Sequence, residues 1–192
     1  FTYSARDRLG HVAGPNTANL TVIAQPPVTA ITLQGVYYDD GTSVFMRGDT
    51  KFQLAASTSI PEGVARIRWR FESSSGQLLA GPFQALNTLS TTVLLPNALL
   101  EGPFDLAFNA EDVVGNVELE QRKRFVLDKT APQAPGVVPV NPVFVESGER
   151  FAAPVFEFKL PAQDLPDVYP SGLARVSYSI TDRSTGGPLA QG

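Results

Sequence analysis

Residues 104–132 read FDLAFNAEDVVGNVELEQRKRFVLDKTAP, and this stretch decides the fold. Apolar side chains occupy every second position from Phe104 to Ala110, which is the period of a half-buried β-strand. A Gly-Asn turn follows at residues 115–116, and the alternation resumes in residues 124–127. We predict that these are the last two strands of a β-sandwich, followed by the linker that leaves it.

The opening residues of the chain repeat this stretch. Residues 1–12, FTYSARDRLGHV, align without a gap with residues 106–117, LAFNAEDVVGNV, at a constant spacing of 105 positions. The identical residues at this spacing are Ala5 with Ala110, Asp7 with Asp112, Gly10 with Gly115, Val12 with Val117, and Pro27 with Pro132. Self-similarity at a fixed spacing indicates repeated structural units.

A third copy of the pattern begins after Pro132. Residues 158–162, FKLPA, parallel residues 52–56, FQLAA, and residues 171–180 parallel residues 62–71. We therefore predict three units along the chain. They are the C-terminal strands of a partial unit over 1–26, a complete unit over 27–131, and the N-terminal half of a third unit over 132–192. Because the first residue aligns with the middle of a strand, we expect the chain to be cut from a longer array.

The predicted fold class is all-β, with tandem two-sheet β-sandwich units of about seven strands each, one complete and two partial. No segment has the 3.6-residue period of an amphipathic helix. Residues 19–23 and 171–180 are expected to be strands of the first and third units. The clearest strand, residues 64–71, directs Trp69 inward, and we expect Trp69 to be the largest anchor of the core.

Composition excludes several classes of function. The 192 residues include 15 basic and 19 acidic side chains, so a net charge of −4 offers no basic surface for nucleic acid. There is no cysteine, which excludes disulfides and thiolate metal sites. The single histidine, His11, cannot assemble a serine triad or a zinc site, so no catalysis is expected. No apolar run approaches the roughly 20 residues of a membrane span.

Three acidic residues are the candidates for a calcium site. Asp112 precedes the Gly-Asn turn, where a carboxylate commonly accepts backbone N–H bonds, and Asp7 is its copy. The alternative to turn capping is a calcium ion held at a junction between units by Asp112 together with Asp128 or Glu111. Calcium takes about six or more oxygen ligands, and no dense acidic loop supplies them, so no cofactor is expected.

Five arginines are the candidate binding residues, and we predict that they share the outward face of one sheet: Arg66, Arg68, Arg70, Arg122 and Arg124. In an immunoglobulin-like sheet their strands would flank a central strand that carries Asp105, Asn109 and Glu111. Two interpretations stay open. Either the charges form a solvated ladder of cross-strand ion pairs, or the face binds an acidic glycan or the carboxylates of a partner protein.

The spacing of residues along the repeat resembles a known class. The pattern G-x-F-x-L-x-x-x-A-x-D-x-x-G-N-V-E over residues 102–118, followed by FVLDKTAP over residues 125–132, resembles the recurring end of bacterial immunoglobulin-like and fibronectin type III-like repeats. Residues 171–180 are similar to the early strands of the same repeats. His11 departs from the pattern, because it stands where the full Gly-Asn turn has asparagine, and this weakens the first copy of the turn.

Such repeats lie in tandem in large secreted and cell-surface proteins. The resemblance therefore implies a non-catalytic extracellular spacer or assembly stalk of a bacterial protein. It also implies an alternative, a carbohydrate- or protein-binding accessory module of a larger secreted enzyme or adhesin. The expected partners are neighbouring immunoglobulin-like units of the parent chain and, for the alternative, a glycan or a surface protein. The alternative to a segment of a longer array is that a neighbouring chain completes the partial units, which would allow self-assembly by strand exchange.

Overall fold

The computed structural model describes residues 1–19, 21–60, 63–134, 136–141, 143–151, 157–164 and 169–191. Within these residues the chain is all-β, forms several sheets and contains no helix, and so no helix that is long and apolar enough to cross a membrane. The strands are β1 (Thr2–Tyr3), β2 (Asn16–Thr17), β3 (Val28–Gln34), β4 (Tyr37–Asp39), β5 (Val44–Met46), β6 (Lys51–Ser57), β7 (Val64–Ser73), β8 (Leu78–Leu86), β9 (Ser90–Leu94), β10 (Gly102–Asp112), β11 (Gln121–Leu127), β12 (Val138–Pro139), β13 (Phe144–Glu146), β14 (Glu149–Phe151), β15 (Phe158–Lys159), β16 (Ser179–Thr181) and β17 (Pro188–Gln191).

The strands between residues 28 and 127, which we call the central unit, form two sheets. One sheet has three strands in the order β3-β6-β9, and the other has six in the order β4-β5-β11-β10-β7-β8. Neighbouring strands are antiparallel except β5 and β11, which run parallel. The long strand β10 therefore lies between β7 and β11, as predicted for the strands that carry the arginines.

The two sheets share one core of aromatic side chains. Alternation in β6 directs Phe52 inward from the three-stranded sheet, while Phe71, Phe104 and Phe125 come from the six-stranded sheet. The ring centroid of Phe52 lies 4.9 Å from that of Phe125 and 6.4 Å from those of Phe71 and Phe104. All four side chains are buried. This cluster holds the sheets face to face, an arrangement consistent with a β-sandwich.

Trp69 is not the main anchor of that core, contrary to the prediction. It is only partly buried and stacks on Phe83 of β8, with ring centroids 5.9 Å apart. The difference lies in the ring contacts, because Phe71 of the same strand packs against the buried Phe52, whereas Trp69 lies against Phe83, which is itself 41% exposed. The fully buried volume belongs to phenylalanines instead.

The β1–β2 hairpin repeats the pairing of β10 with β11 residue for residue. Thr2 lies opposite Thr17, and Tyr3 lies opposite Asn16. The residues 105 positions further along are paired in the same register, with Ala107 opposite Arg122 and Phe108 opposite Gln121. The sequence repeat is therefore also a repeat of strand pairing.

The predicted strand over residues 19–23 is wrong in its position. The strand is β2, at Asn16–Thr17, and residues 19 and 21–23 belong to no strand, while Leu20 lies outside the described residues. Pairing ends where Phe1 and Ala18 exchange backbone hydrogen bonds of 2.8 and 3.0 Å.

The turn after β10 is capped by Asp112, as predicted. Its Oδ1 atom accepts the backbone N–H groups of Val114 at 3.0 Å and Asn116 at 2.9 Å, and its Oδ2 atom accepts Nδ2 of Asn116 at 2.8 Å. The backbone bonds from Asp112 N to Asn116 O and from Gly115 N to Asp112 O complete the turn. Gly115 has φ of 92°, a conformation that glycine adopts without steric cost.

The turn after β1 reproduces these bonds around Asp7. The Oδ1 atom of Asp7 accepts the backbone N–H groups of Leu9 and His11, both at 2.9 Å, and Nδ1 of His11 lies 2.8 Å from Oδ2 of Asp7. Gly10 has the same φ of 92° as Gly115. The expectation that His11 weakens this turn is wrong, because an imidazole nitrogen occupies the place of the asparagine amide.

The third unit, residues 133–191, repeats two pairings of the central unit. The β16–β17 hairpin shifts register between Ile180 and Thr181, and β7–β8 shifts register between Phe71 and Glu72, which stand 109 positions earlier. At the start of the unit, Gln133 bridges Gln163 where the central unit pairs Val28 with Ser57. The third copy therefore begins as the second one does.

The predicted strand over residues 171–180 is shorter than expected. Only β16, at Ser179–Thr181, is a strand, and residues 171–178 are not. The equivalent strand β7 is hydrogen-bonded on both sides, to β8 and to β10, whereas β16 pairs with β17 alone in the described part of the chain. A strand with one partner lacks half of the backbone hydrogen bonds that would fix its length.

Candidate functional site

The five predicted arginines lie together on the outer side of β7 and β11, which we call the arginine face. At one end of this face Arg66 and Arg68 bind the two oxygens of Glu111. The distances are 3.1 Å from Arg66 Nη2 to Oε1 and 2.5 Å from Arg68 Nη2 to Oε2. The pairing of β7 with β10 fixes this geometry, because Arg66 stands directly opposite Glu111 and Arg68 is two residues along.

The middle of the arginine face is a four-membered network. Arg70 binds Glu72 at 2.6 Å and Glu120 at 2.5 Å, and Arg122 binds the same two carboxylates at 2.6 and 3.1 Å. Glu72 is only 5% exposed. Its Oε1 atom accepts a hydrogen bond from Nε of Arg70, while its Oε2 atom accepts no well-aligned hydrogen bond and has the guanidinium of Arg122 as its neighbour, so two arginines compensate its charge.

Arg124 closes the other end with a two-pronged contact to Asp105. Its Nε and Nη2 atoms donate to the two carboxylate oxygens at 2.8 and 3.0 Å. This fork geometry matches a carboxylate and is the strongest form of the pair. The hydrogen bonds from Arg124 hold the pKa of Asp105 below its usual value, although burial of the carboxylate works in the opposite direction.

The arginine face is therefore largely neutralised by its own carboxylates. Its five guanidinium groups meet four carboxylates: Glu72, Asp105, Glu111 and Glu120. Each pair contributes about 0.2–1 kcal/mol where it is exposed. An arrangement of this kind favours the interpretation as a cross-strand ladder, because a glycan carboxylate would have to displace an existing partner.

Two members of the face were missed from the sequence. Glu72 and Glu120 stand two positions from Arg70 and Arg122, on the same side of each strand. The predicted strands stopped at residue 71 and began at residue 124, whereas β7 runs to Ser73 and β11 begins at Gln121. Extending the outward alternation by one step beyond Arg70 and one step before Arg122 would have identified both.

Acid is expected to destabilise the central unit through these carboxylates. Arg124 lowers the pKa of Asp105, and Arg70 lowers that of Glu120 despite the opposing effect of burial. Because folding lowers both pKa values, the stabilisation is complete above the unfolded values of about 4 and is lost as the pH falls through the folded values. We expect the urea concentration at the midpoint of unfolding to decrease when the pH is lowered below about 4. The fluorescence of Trp69, the only tryptophan, reports this transition.

The matched control for this pH dependence is the Asp105→Asn/Glu120→Gln variant. Its side chains keep their size but have no charge to lose, so its urea midpoint should change less between pH 5 and pH 3. An equally steep decline in the variant would show that other carboxylates cause the acid sensitivity.

The structure does not bring the three calcium candidates together. Glu111 is bound by two arginines, and Asp112 is occupied by the donors of its turn. Burial opposes the charge on Asp112, but the hydrogen bonds from Asn116 outweigh it and hold the pKa of Asp112 below its usual value. Asp128 accepts the backbone N–H groups of Thr130 and Ser171, both at 3.1 Å. Among the described residues no group of three acidic or histidine side chains is placed to hold a metal ion.

A hydrogen bond joins the first unit to the central unit. Nδ2 of Asn116, in the turn after β10, donates to the carbonyl of Ile23 at 3.0 Å. Five residues later the chain enters β3, where the buried carboxylate of Glu118 accepts the backbone N–H of Thr29 at 2.8 Å and its hydroxyl at 2.5 Å. The chain is thus fixed to the same end of the central unit both before and after Pro26 and Pro27.

A second contact of this kind joins the central unit to the third. Oδ2 of Asp128 accepts the backbone N–H of Ser171 at 3.1 Å. The ring of Tyr169 packs on the backbone at Gly102, where an added Cβ atom would lie 3.0 Å from Cε2 of the tyrosine. Two open clefts of about 350 and 360 Å³ flank this contact, and Phe45 lines both.

The two junctions use the same position of the repeat. Ile23 and Asp128 are 105 residues apart, which is the spacing of the first two copies. Asn116 and Ser171 lie at the same end of their units. The alignment places Ser171 next to the equivalent of Gly63, and in the central unit Gly63 O accepts the backbone N–H of Val113, in the turn that also contains Asn116, at 3.4 Å. In both cases the residue leaving one unit is bonded to the near end of the next.

A small aromatic surface borders the larger cleft. Tyr37 and Tyr38 of β4 are each more than half exposed, and Tyr38 stacks on Phe45 with ring centroids 6.4 Å apart. Both tyrosines and Arg47 line the cleft, and Arg47 is paired with Asp49.

No protein-family model matches the sequence, and no curated protein matches it.

Proposed function

We propose that the chain is a tandem array of immunoglobulin-like β-sandwich units that acts as a non-catalytic, extracellular spacer or assembly stalk of a bacterial surface or secreted protein. The sequence resemblance of residues 102–132 supports this proposal. The strand order supports it too, because β7, β10 and β11 are adjacent in one sheet and β3, β6 and β9 form the other. That grouping agrees with the strand neighbours of immunoglobulin-like sandwiches.

The observation that carries the proposal is the repeated junction. A chain of globular units transmits force or sets a distance only if bending at the linkers is limited. Here position 23 and its copy at position 128 each bond to the end of the following unit. The short linkers contain Pro26, Pro27 and Pro132, whose rings fix φ and restrict the chain further.

Small-angle X-ray scattering of the 192-residue chain at low concentration tests this role. We expect the wild type to scatter as an elongated particle with limited bending. The Asn116→Ala/Asp128→Ala variant should show greater flexibility, because both junctions lose a hydrogen bond. Asp182→Ala removes a similar cap from the turn between β16 and β17, and this control should leave the scattering unchanged. A wild type that already behaves as flexibly linked beads would contradict the proposal.

A carbohydrate- or protein-binding accessory module is the second candidate. The exposed pair Tyr37 and Tyr38 beside the cleft favours it, because aromatic rings with polar tips are suited to contact with partly apolar, partly polar ligands. Saturable binding to a glycan array that Tyr38→Ala abolishes, and that Leu119→Ala on an exposed site elsewhere preserves, would support this candidate over the spacer.

A further inference from the structure

The linker that enters the central unit is attached to one end of β10. The carboxylate of Glu118 accepts the backbone N–H of Thr29 at 2.8 Å and the hydroxyl of Thr29 at 2.5 Å. The same carboxylate accepts the backbone N–H of Ala110 at 3.0 Å, near the C-terminal end of β10. Thr29 is 3% and Glu118 is 8% exposed, so these bonds are shielded from competing water.

The linker that leaves the central unit is attached to the opposite end of β10. Glu101 directly precedes Gly102, the first residue of the strand. Its Oε1 atom accepts the backbone N–H of Lys129 at 2.7 Å and the hydroxyl of Thr130 at 2.8 Å. The ammonium group of Lys129 also donates to the carbonyl of Leu99 at 2.6 Å. The two carboxylates therefore connect the linkers to each other through β10.

We propose that tension between the units crosses the central unit along β10, with Glu118 and Glu101 as the points of attachment. A pull on the two linkers draws the ends of β10 in opposite directions, because each linker is bonded to the end of the strand nearest to it. The strand has 11 residues, so its covalent backbone spans about 35 Å of the unit. This inference rests on the proposed spacer role, since only a unit under tension uses such a path.

The position of β10 in its sheet suits it to carry such a load. It pairs with β7 over residues 104–112 and with β11 over residues 102–108. Because the hydrogen bonds of an antiparallel pair are perpendicular to the strands, a pull along β10 loads all of them together. Without the two attachments the pull on the entering linker falls first on β3, which pairs with β6 alone in the described part of the chain.

The hydroxyl groups that donate to the two glutamates are not part of the sequence repeat. At the spacing of 105 residues, Ala134 stands in the place of Thr29, and Gln25 stands in the place of Thr130. Each linker therefore carries a threonine only at the position where it meets the central unit. The attachments are a property of this unit, and replacing the two threonines removes a donor from each.

Single-molecule pulling on the full chain tests this path in two directions. The chain has no cysteine, so handles can be attached at two introduced cysteines. The linker geometry uses Gln25→Cys with Ala131→Cys. The transverse geometry uses Thr42→Cys with Ser74→Cys, in the turns beside the edge strands β4 and β8. The central unit should unfold at a higher force in the linker geometry, because a transverse pull separates the edge strands one pair at a time.

The variant Thr29→Ala/Thr130→Ala separates the proposed path from general stability. In the linker geometry it should unfold roughly tenfold faster at the same force, because each attachment loses a hydrogen bond to a charged acceptor. In the transverse geometry its unfolding rate should be unchanged, because the edge strands separate before the attachments are loaded. The matched control Thr88→Ala/Thr92→Ala removes two hydroxyl donors that hold no linker, and it should change neither rate.

Two results overturn the proposal: a double variant that unfolds no faster than the control in the linker geometry, or one that unfolds faster by the same factor in both geometries. Thr130→Ala alone, at an exposed site, keeps the test decisive if the change at the buried Thr29 prevents folding. It should also unfold faster in the linker geometry only. The scattering test measures bending of the unloaded chain, so failure of the spacer role is distinguishable from failure of this path.

Discussion

Replacing Phe52 by alanine is expected to lower the free energy of unfolding of the central unit by about 3–5 kcal/mol. Phe52 is fully buried and is the side chain of the three-stranded sheet that contacts Phe71, Phe104 and Phe125 of the opposite sheet. Its removal deletes the ring and leaves a cavity between rigid sheets that cannot close around it.

Urea unfolding followed by the fluorescence of Trp69 measures this loss selectively. Trp69 is the only tryptophan and lies in β7 of the central unit, so the first and third units do not contribute to the signal. Leu94→Ala is the matched control, because Leu94 belongs to the neighbouring β9 and is 62% exposed. It should change the stability by no more than about 0.5 kcal/mol. A similar loss in both variants would mean that Phe52 does not join the two sheets.

Alternation of apolar residues was sufficient to place the inner strands. In β10 the period of two runs without interruption through Phe104, Leu106 and Phe108, and all three are buried. A constant spacing of 105 residues carried the pattern of β10 to the first unit, where β1 and β2 pair in the register of β10 and β11 although the second strand was predicted at residues 19–23. The alternation and the repeat spacing can both be read from the order of residues along the chain, without knowing which strands lie side by side, and this is why the sequence revealed them.

Features that depend on which strands lie at the edge of a sheet could not be predicted in the same way. Trp69 satisfies the inward pattern as well as Phe71 does, yet it lies against the exposed Phe83 of the edge strand β8 and stays partly open, whereas Phe71 packs against Phe52. Residues 171–178 have the pattern of β7 but form no strand. In both cases the outcome depends on which neighbouring strands cover the segment, and a single strand's sequence does not contain that information.

Glu118 shows most clearly how a distant contact escapes sequence reasoning. It belongs to the repeat pattern, but as a polar residue after a turn it had no predicted role. Its carboxylate is 8% exposed and accepts the backbone N–H of Thr29 at 2.8 Å and the Thr29 hydroxyl at 2.5 Å. It also accepts the backbone N–H of Ala110 at 3.0 Å and the side-chain amide of Gln121 at 2.7 Å. These donors come from the starts or ends of three strands: β3, β10 and β11.

Glu118→Ala is therefore expected to cost about 3–5 kcal/mol of central-unit stability. The substitution leaves three buried donors of Thr29 and Ala110 without an acceptor, and each unsatisfied buried group costs about 1–3 kcal/mol, with less than full additivity. The backbone amide of Thr29 should also exchange with solvent faster, because β3 loses its attachment at the point where the chain enters the central unit.

Two further variants make this expectation specific. Glu118→Gln retains one carbonyl oxygen but turns an N–H₂ group towards donors, so its loss should be smaller than that of alanine but well above zero. Leu119→Ala, at an 88% exposed neighbour, should change the stability by no more than about 0.5 kcal/mol. If Glu118→Ala cost less than about 1 kcal/mol, water would be replacing the carboxylate, and Glu118 would not be what fixes the entry of the linker into the sandwich.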